Sequence, residues 1–191
     1  SLETTFIYVT HDQAEALTLS DRMAVMIDGE LLQVGPPEEL YKNPLDKRVA
    51  EFVGSPKINM LPAEINNEGR ITSLGATIRG QSTTYIGSGF VGIRPENLKL
   101  VSSRQSPECW AFEVTHKENL GADVFLHGRL GRRGFHGIVR ETPENAAELG
   151  RGTRTFVKAV PGEALLFDAN GNRLPFKQSL DMEHFMVMAE A

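Results

Sequence analysis

The sequence has few of the features that mark secreted, membrane-spanning or metal-binding proteins. It has one cysteine, Cys109, which excludes an internal disulfide and a cysteine zinc site and fits a reducing compartment. No apolar run approaches the ~20 residues that a membrane span needs, and no charged start with a following apolar run marks a signal peptide. We therefore expect a soluble protein in which Cys109 is an ordinary buried thiol.

Aromatic side chains and positive charge are also scarce. The chain has one tryptophan and three tyrosines, and its net charge is −5. Residues 1–50 hold four basic and nine acidic residues, so residues 51–191, with sixteen of each, are balanced. A nucleic-acid-binding OB-fold needs a basic groove with exposed aromatic side chains. The composition therefore argues against a nucleic-acid partner.

Common catalytic and metal-binding patterns are missing as well. The histidines at 116, 127, 136 and 184 show neither an i, i+4 pair nor the carboxylate spacing of a metal site. No serine stands in a nucleophile-elbow context. We expect no metal site, and the four histidines are interpreted as ordinary surface or core residues.

The most informative stretch lies at residues 6–15. The apolar run at 6–9 predicts a buried strand, and Asp12 and Glu15 have the spacing of a capping box that starts a helix over about residues 12–20. His11 would then lie at a strand-to-helix corner, where open α/β sheets bind ligands. From this local pattern alone, His11 is either functional or only a polar strand terminator.

A hairpin and two short helices are predicted next. Asp28 and Gly29 form a two-residue turn between apolar runs. Prolines and carboxylates at 36–39 indicate a helix start, and a further helix should cover 46–52 with Val49, Ala50 and Phe52 facing inward. The chain up to residue 54 is thus predicted to mix helices and strands.

After Gly54 the pattern changes to short alternating runs separated by glycine, which is typical of small β-barrels. The predicted strands lie near 90–93, 110–114, 124–126, 156–160 and 164–167. One short helix or helical turn is expected at 142–150. The apolar tail at 182–188 is interpreted as a strand or helix docked on the barrel, with a membrane contact as the alternative. We therefore predict a mainly β fold for the chain.

The only local positive cluster combines arginines with glycines. It consists of Arg129, Arg132, Arg133 and Arg140, with Gly131, Gly134 and Gly137 between them. A solvated hairpin is the preferred interpretation of this cluster, and an anion site is the alternative.

Several motifs resemble one protein family throughout the chain. The run from Thr4 to Arg22, with Tyr8-Val9-Thr10-His11-Asp12-Gln13 at its centre, resembles the switch-histidine segment of ABC-transporter ATPase subunits, especially those of bacterial maltose- and glycerol-phosphate-type importers. The resemblance continues through the segments 25–30, 33–41 and 52–62. It implies that His11 is a catalytic residue of the parent enzyme, in contact with the γ-phosphate of ATP and the attacking water.

The second part of the chain resembles the regulatory domain of the same family. The stretch Val91-Gly92-Ile93-Arg94-Pro95-Glu96 is similar to a motif of its C-terminal region, which is built from OB-like barrels called a TOBE domain. The resemblance implies an OB-fold-like (TOBE) barrel domain over 55–191, preceded over 1–54 by an α/β remnant of the ABC ATPase domain. Arg94 is expected to be a structural or dimer-contact residue.

The resemblance also implies that this chain is the C-terminal part of a longer ATPase. Such an enzyme needs a GxxxxGK[ST] loop, an acidic strand end for Mg²⁺ and a signature loop, and the sequence contains none of these upstream motifs. ATP and Mg are thus expected in the full-length parent, and no cofactor in this fragment, which we expect neither to hydrolyse ATP nor to bind it tightly.

The family further implies partners and a location. The expected partners are a second copy of the chain as a homodimer, transmembrane permease subunits and a solute-binding protein, with a cytoplasmic location at the inner membrane. The apolar segment 6–9 should pack on another copy or on the barrel, since an unpaired strand edge is unfavourable. The alternative function is a TOBE binding module that senses a small ligand such as an oxyanion.

Overall fold

A computed structural model describes residues 6–10, 12–102, 106–175 and 177–178. It is mainly β with antiparallel sheets, which confirms the predicted fold class. The α-helices of the described residues lie before residue 53, namely α1 (Gln13–Leu19), α2 (Pro37–Lys42) and α3 (Lys47–Phe52). None of the helices in these ranges is long and apolar enough to cross a membrane. The apolar tail at 182–188 lies outside the described residues.

The N-terminal region, by which we mean the described residues up to 54, contains one hairpin, formed by β1 (Met23–Ile27) and β2 (Glu30–Gly35). The helices of this region pack on that hairpin. Asp28 and Gly29 have φ angles of 51° and 80°, the positive values that the predicted two-residue turn requires. Val25, Leu40 and Val49 are buried together between the hairpin and the helices, so this region has a small core of its own.

The β region, which we define as residues 59–174, contains two five-stranded antiparallel sheets. The first has the strand order β13-β7-β3-β4-β5 and the second β11-β10-β9-β12-β8. The strands are β3 (Asn59–Ile65), β4 (Ile71–Ser73), β5 (Ala76–Ile78), β6 (Gln81–Ser82), β7 (Gly87–Ile93), β8 (Leu98–Val101), β9 (Cys109–Asn119), β10 (Val124–Leu130), β11 (Phe135–Glu141), β12 (Arg154–Ala159) and β13 (Leu165–Asp168). Of these eleven strands, β6 belongs to neither large sheet and pairs instead with β14 (Lys177–Gln178), which lies beyond the β region.

The two large sheets face a common core. Leu61 and Val91 of the first sheet are buried in the same cluster as Trp110 and Leu126 of the second. The Trp110 indole also donates a hydrogen bond of 2.8 Å to the Ser73 carbonyl. A buried aromatic side chain thus packs in the core while its polar atom is satisfied.

Smaller predictions had mixed outcomes. Cys109 is a buried free thiol, and residues 142–150 form helical turns with an Ala146 amide to Thr142 carbonyl bond of 3.1 Å, both as predicted. Val49 and Ala50 of α3 are fully buried, but Phe52 is 37% exposed, so its predicted inward orientation is wrong. Val49 is buried against the hairpin and Ala50 against Ile58 and Phe167, whereas Phe52, the last residue of this six-residue helix, faces solvent.

The predicted buried strand at residues 6–9 is wrong. Phe6, Ile7, Tyr8 and Val9 have no regular secondary structure and are 70–91% exposed. A strand needs a neighbour to accept and donate its backbone hydrogen bonds, and no described strand lies beside this segment. The segment therefore does not pack on the β region, so this one of the two expected arrangements is not observed.

Candidate functional site

Local hydrogen bonds hold the corner around His11, where the irregular segment 6–10 leads into α1, although His11 itself lies outside the described residues. The Glu15 amide donates to the Asp12 carboxylate at 3.2 Å, which confirms the predicted cap of α1. The Asp12 amide donates to the Thr10 hydroxyl at 2.9 Å, and that hydroxyl donates to Glu15 at 3.0 Å. The Thr10 side chain before His11 and the Asp12 side chain after it are thus both bound to Glu15 in the first turn of the helix.

The corner is also tied to the end of the N-terminal region. The Gly54 amide donates to Gln13 Oε1 at 3.0 Å, so the residue that begins α1 contacts the residue where the sequence pattern changes. Tyr8 donates its hydroxyl to Glu15 at 3.3 Å, and the negative charge of Glu15 raises the pKa of Tyr8. The Gly54 contact thus links the corner to the surroundings of Arg94 and Tyr41.

Arg94 connects the β region to the N-terminal region, and we call its contacts, together with those between Tyr41 and Glu96, the Arg94 joint. Its side chain is buried, and it donates to the backbone carbonyls of Ala50 at 3.2 Å, Val53 at 2.5 Å and Tyr41 at 2.8 Å. The guanidinium also lies 3.9 Å from the centre of the Tyr41 ring, a cation–π contact. Burial lowers the pKa of Arg94. The structural role expected for Arg94 is therefore confirmed, because it closes α2 and α3 onto the end of β7.

Tyr41 and Glu96 complete the same joint. The Tyr41 hydroxyl donates to Glu96 at 2.6 Å across a separation of 55 residues. Burial, together with this carboxylate, raises the pKa of Tyr41 to about 12. The Arg94-Pro95-Glu96 triplet thus places a cation over the ring of Tyr41 and an anion at its hydroxyl.

A second set of backbone contacts joins the regions near residue 171. The Lys47 amide donates to the Gly171 carbonyl at 2.8 Å, and the Arg173 amide donates to the Leu45 carbonyl at 2.9 Å. Asp46 also forms an isolated β-bridge with Asn172. Two separate places of contact, at Arg94 and at this turn, restrict rotation of one region against the other.

The arginine cluster predicted from the sequence is divided by the fold. Arg140 forms a two-pronged ion pair with Asp123, at 2.7 and 2.9 Å, and both line a small pocket of about 230 Å³ beside Tyr41 and Glu96. Arg129, Arg132 and Arg133 line a different and larger groove. The predicted hairpin is present as β10 and β11.

Three of the histidines lie together, which sequence spacing did not indicate. His116, His127 and His136 come from neighbouring strands, with ring centres 5.7 and 5.9 Å apart. His127 Nε2 lies 3.4 Å from Glu118. Within the described part of the chain, no group of three or more histidine, cysteine or acidic residues has the geometry to hold a metal ion. The three histidines lie side by side because of the order and register of their strands, and spacing along the sequence does not reveal these.

Comparison with known proteins gives one consistent group of relatives. The chain is 36% identical over 187 residues to the sn-glycerol-3-phosphate import ATP-binding protein of Rhodopseudomonas palustris, covering 90% of this chain and 48% of that protein. It is 41% identical over 137 residues to the protein of that name from Escherichia coli K12, covering 69% and 38%. The trehalose import ATP-binding protein of Mycobacterium tuberculosis is 36% identical over 182 residues, covering 85% and 45%.

The chain thus spans about half the length, or less, of the curated relatives that it matches. No family model matches it. Among solved structures, a cytoplasmic molybdate-binding protein with molybdate bound aligns with a TM-score of 0.47 and 12% identity, covering 56% of this chain and 94% of that one.

Proposed function

This chain is a homologue of the ATP-binding subunits of sugar-type ABC importers, and we propose that it is the C-terminal part of such a subunit, whose complete form couples ATP hydrolysis to solute uptake. The observation that carries the proposal is 36% identity over 187 residues. Since this match covers 90% of the chain, it extends across the Arg94 joint and takes in parts of both regions.

The proposed catalytic residue is His11. In the complete subunit its imidazole contacts the γ-phosphate of ATP and the attacking water, while Mg²⁺ and the phosphate-binding loop are held by residues outside this sequence, which contains no GxxxxGK[ST] motif. The cap of α1 by Asp12 supports this role, because it fixes the backbone that follows the histidine. The fragment alone supplies no tight nucleotide site.

We propose that the chain contains parts of two domains, with the boundary between residues 54 and 55. Residues 1–54 complete the nucleotide-binding domain, and residues 55–191 form a TOBE-type regulatory and dimerisation domain. The Arg94 and Tyr41 contacts support this arrangement, since they make the position of the β region depend on that of α2 and α3. The proposed partners are a second copy, the permease subunits and a solute-binding protein, at the cytoplasmic face of the inner membrane.

A chimera provides the test. The part of the E. coli relative that precedes the matching segment is joined to residues 4–191 of this chain, and ATP hydrolysis is measured for the chimera and for the isolated chain. We expect turnover by the chimera only. His11→Ala should lower it by about 100-fold, the lower end of what a positioned acid–base group contributes.

His116→Ala is the matched control, because it removes an exposed histidine of the β region and should leave the rate unchanged. The proposal would be wrong if His11→Ala and His116→Ala had equal rates. Histidine-dependent ATP turnover by the isolated chain would also refute the assignment of the phosphate machinery to residues outside it.

A further inference from the structure

A groove of about 550 Å³ lies on the second sheet of the β region, where β9, β10 and β12 meet the β10–β11 turn. Its size falls within the roughly 300–1,000 Å³ of small-molecule sites. The charged side chains that line it are Arg129, Arg132, Arg133, Arg154 and a single carboxylate, Glu113. Formal charges therefore leave the groove with an excess of positive charge in a chain whose net charge is −5.

The fold holds the turn over the groove. Gly131 and Gly134 bracket the two turn arginines and have φ angles of +64° and +67°. The Gly131 amide donates to the Ala111 carbonyl of β9 at 2.9 Å, so the turn is bonded to a strand that is not part of its own hairpin. A Cβ added to Gly131 would lie 3.4 Å from the Leu74 side chain. The backbone that carries Arg132 and Arg133 is thus fixed at the rim of the groove.

Strand register places the remaining charges in one row on the floor. Glu113 of β9 is paired in the sheet with Arg129 of β10 on one side and with Arg154 of β12 on the other. Glu113 accepts a hydrogen bond from Arg154 Nε at 3.2 Å. The groove's only carboxylate is thereby engaged with Arg154, which is 82% exposed.

The other three guanidinium groups have no such partner. The guanidinium groups of Arg129, Arg132 and Arg133 form no ion pair or hydrogen bond with any residue that the structure describes. Three like charges that converge on one groove repel each other, and an anion between them would remove that repulsion. Guanidinium forks also match carboxylate and phosphate groups in two-pronged geometry.

We propose that this groove binds a small anion with two or more negative charges, of the polycarboxylate or the phosphate class. The sequence favoured a solvated hairpin, but the tie between Gly131 and Ala111 turns the arginines toward β9 and β12 instead of leaving them at a free tip. The partly exposed Phe156 ring adds an apolar wall that suits an organic anion. This inference does not depend on the ATPase assignment.

Titration calorimetry of the purified chain at an ionic strength of about 0.15 M, where the Debye length is about 8 Å, tests the proposal with two probes. Citrate represents the polycarboxylates, and inorganic pyrophosphate represents the phosphates. We expect at least one probe to bind with a Kd below about 1 mM, and the tighter probe identifies the class. The double variant Arg132→Gln/Arg133→Gln should weaken that binding by at least about tenfold, which corresponds to about 1.4 kcal/mol.

Two further variants separate a local site from a general charge effect. Arg70→Gln/Lys99→Gln removes the same charge from exposed positions outside the groove and should leave the Kd within about twofold, because exposed charges beyond the Debye length are screened. Glu113→Gln removes the only carboxylate and should tighten binding by up to about fivefold. The proposal is overturned if neither probe binds, if the two double variants weaken binding equally, or if Glu113→Gln weakens it.

Discussion

Substitution of Arg94 by alanine should separate the two regions of the molecule energetically. The guanidinium is 3% exposed and donates three hydrogen bonds to carbonyls of the N-terminal region. A hydrogen bond to a charged group contributes about 1.5–3 kcal/mol, and burial of the cation, which lowers its pKa, offsets part of this sum. Its Nε has no partner among the described residues, which reduces the gain further. We estimate a net loss of about 3–5 kcal/mol for Arg94→Ala.

The assay exploits the distribution of probes in the chain. The only tryptophan, Trp110, is buried in the core of the β region, so its fluorescence reports unfolding of that region. All α-helices of the described residues lie in the N-terminal region, so the circular dichroism signal at 222 nm weights that region. In the unmodified chain both probes should give one denaturant midpoint. In Arg94→Ala the helical signal should be lost first, while the Trp110 transition moves little.

Two controls make this test specific. Arg70→Ala removes an exposed arginine whose nearest carboxylate, Glu68, lies at 3.8 Å, and should change stability by no more than about 0.5 kcal/mol. Arg94→Lys keeps the charge but not the planar fork, so it should lie between alanine and the unmodified chain. If the fluorescence and circular dichroism transitions of Arg94→Ala coincided, with a midpoint near that of Arg70→Ala, the proposal that Arg94 holds the two regions together would be refuted.

Three further predictions concern single residues. The fold raises the pKa of Tyr41 to about 12, so the contribution of Tyr41 to stability is full below about pH 10 and is lost as the pH rises from 10 towards 12. In thermal melts, Tyr41→Phe should therefore lose less stability between pH 10 and 12 than Tyr85→Phe does. The Asp46 carboxylate caps α3, and its hydrogen bond with Arg48 lowers its pKa. Its contribution to stability is therefore present above about pH 4 and is lost on acidification. Asp46→Ala should lower the free energy of urea unfolding by about 1 kcal/mol at pH 7 and by less at pH 3. A Cβ on Gly128 would lie 2.5 Å from a backbone carbonyl oxygen, so Gly128→Ala should cost about 1–3 kcal/mol in the same unfolding measurement, whereas Gly150→Ala, with nothing within 4 Å, should be neutral.

Local patterns predicted those elements that are stable through their own residues. The hairpin around Asp28 and Gly29, the cap of α1 at Asp12 and α3 after Asp46 all depend on contacts within a few residues, and all are present. The five strands predicted after Gly54 are present as parts of β7, β9, β10, β12 and β13, because alternation and glycine spacing are local signals, whereas β3, β4, β5, β6 and β8 were not predicted. Motif resemblance added the His11 segment and the role of Arg94.

The arrangements that sequence did not predict depend on contacts between distant residues. Tyr41 and Glu96 are 55 positions apart, and the row of Glu113 with Arg129 and Arg154 requires the order of three strands. The strand predicted at 6–9 failed for a related reason, since the apolar run reports β propensity but not whether a neighbouring strand is present. Sequence therefore located the candidate corner, whereas the joint and the arginine groove required the fold.

The most direct test of the proposed function is uptake of labelled sn-glycerol-3-phosphate by E. coli cells that lack their own import ATP-binding protein and carry the chimera instead. We expect uptake above that of cells with an empty vector, and we expect it to be lost with His11→Ala but kept with His116→Ala. If the chimera accumulates and hydrolyses ATP but supports no uptake, or if His11→Ala transports as well as the unmodified chimera, the account is contradicted.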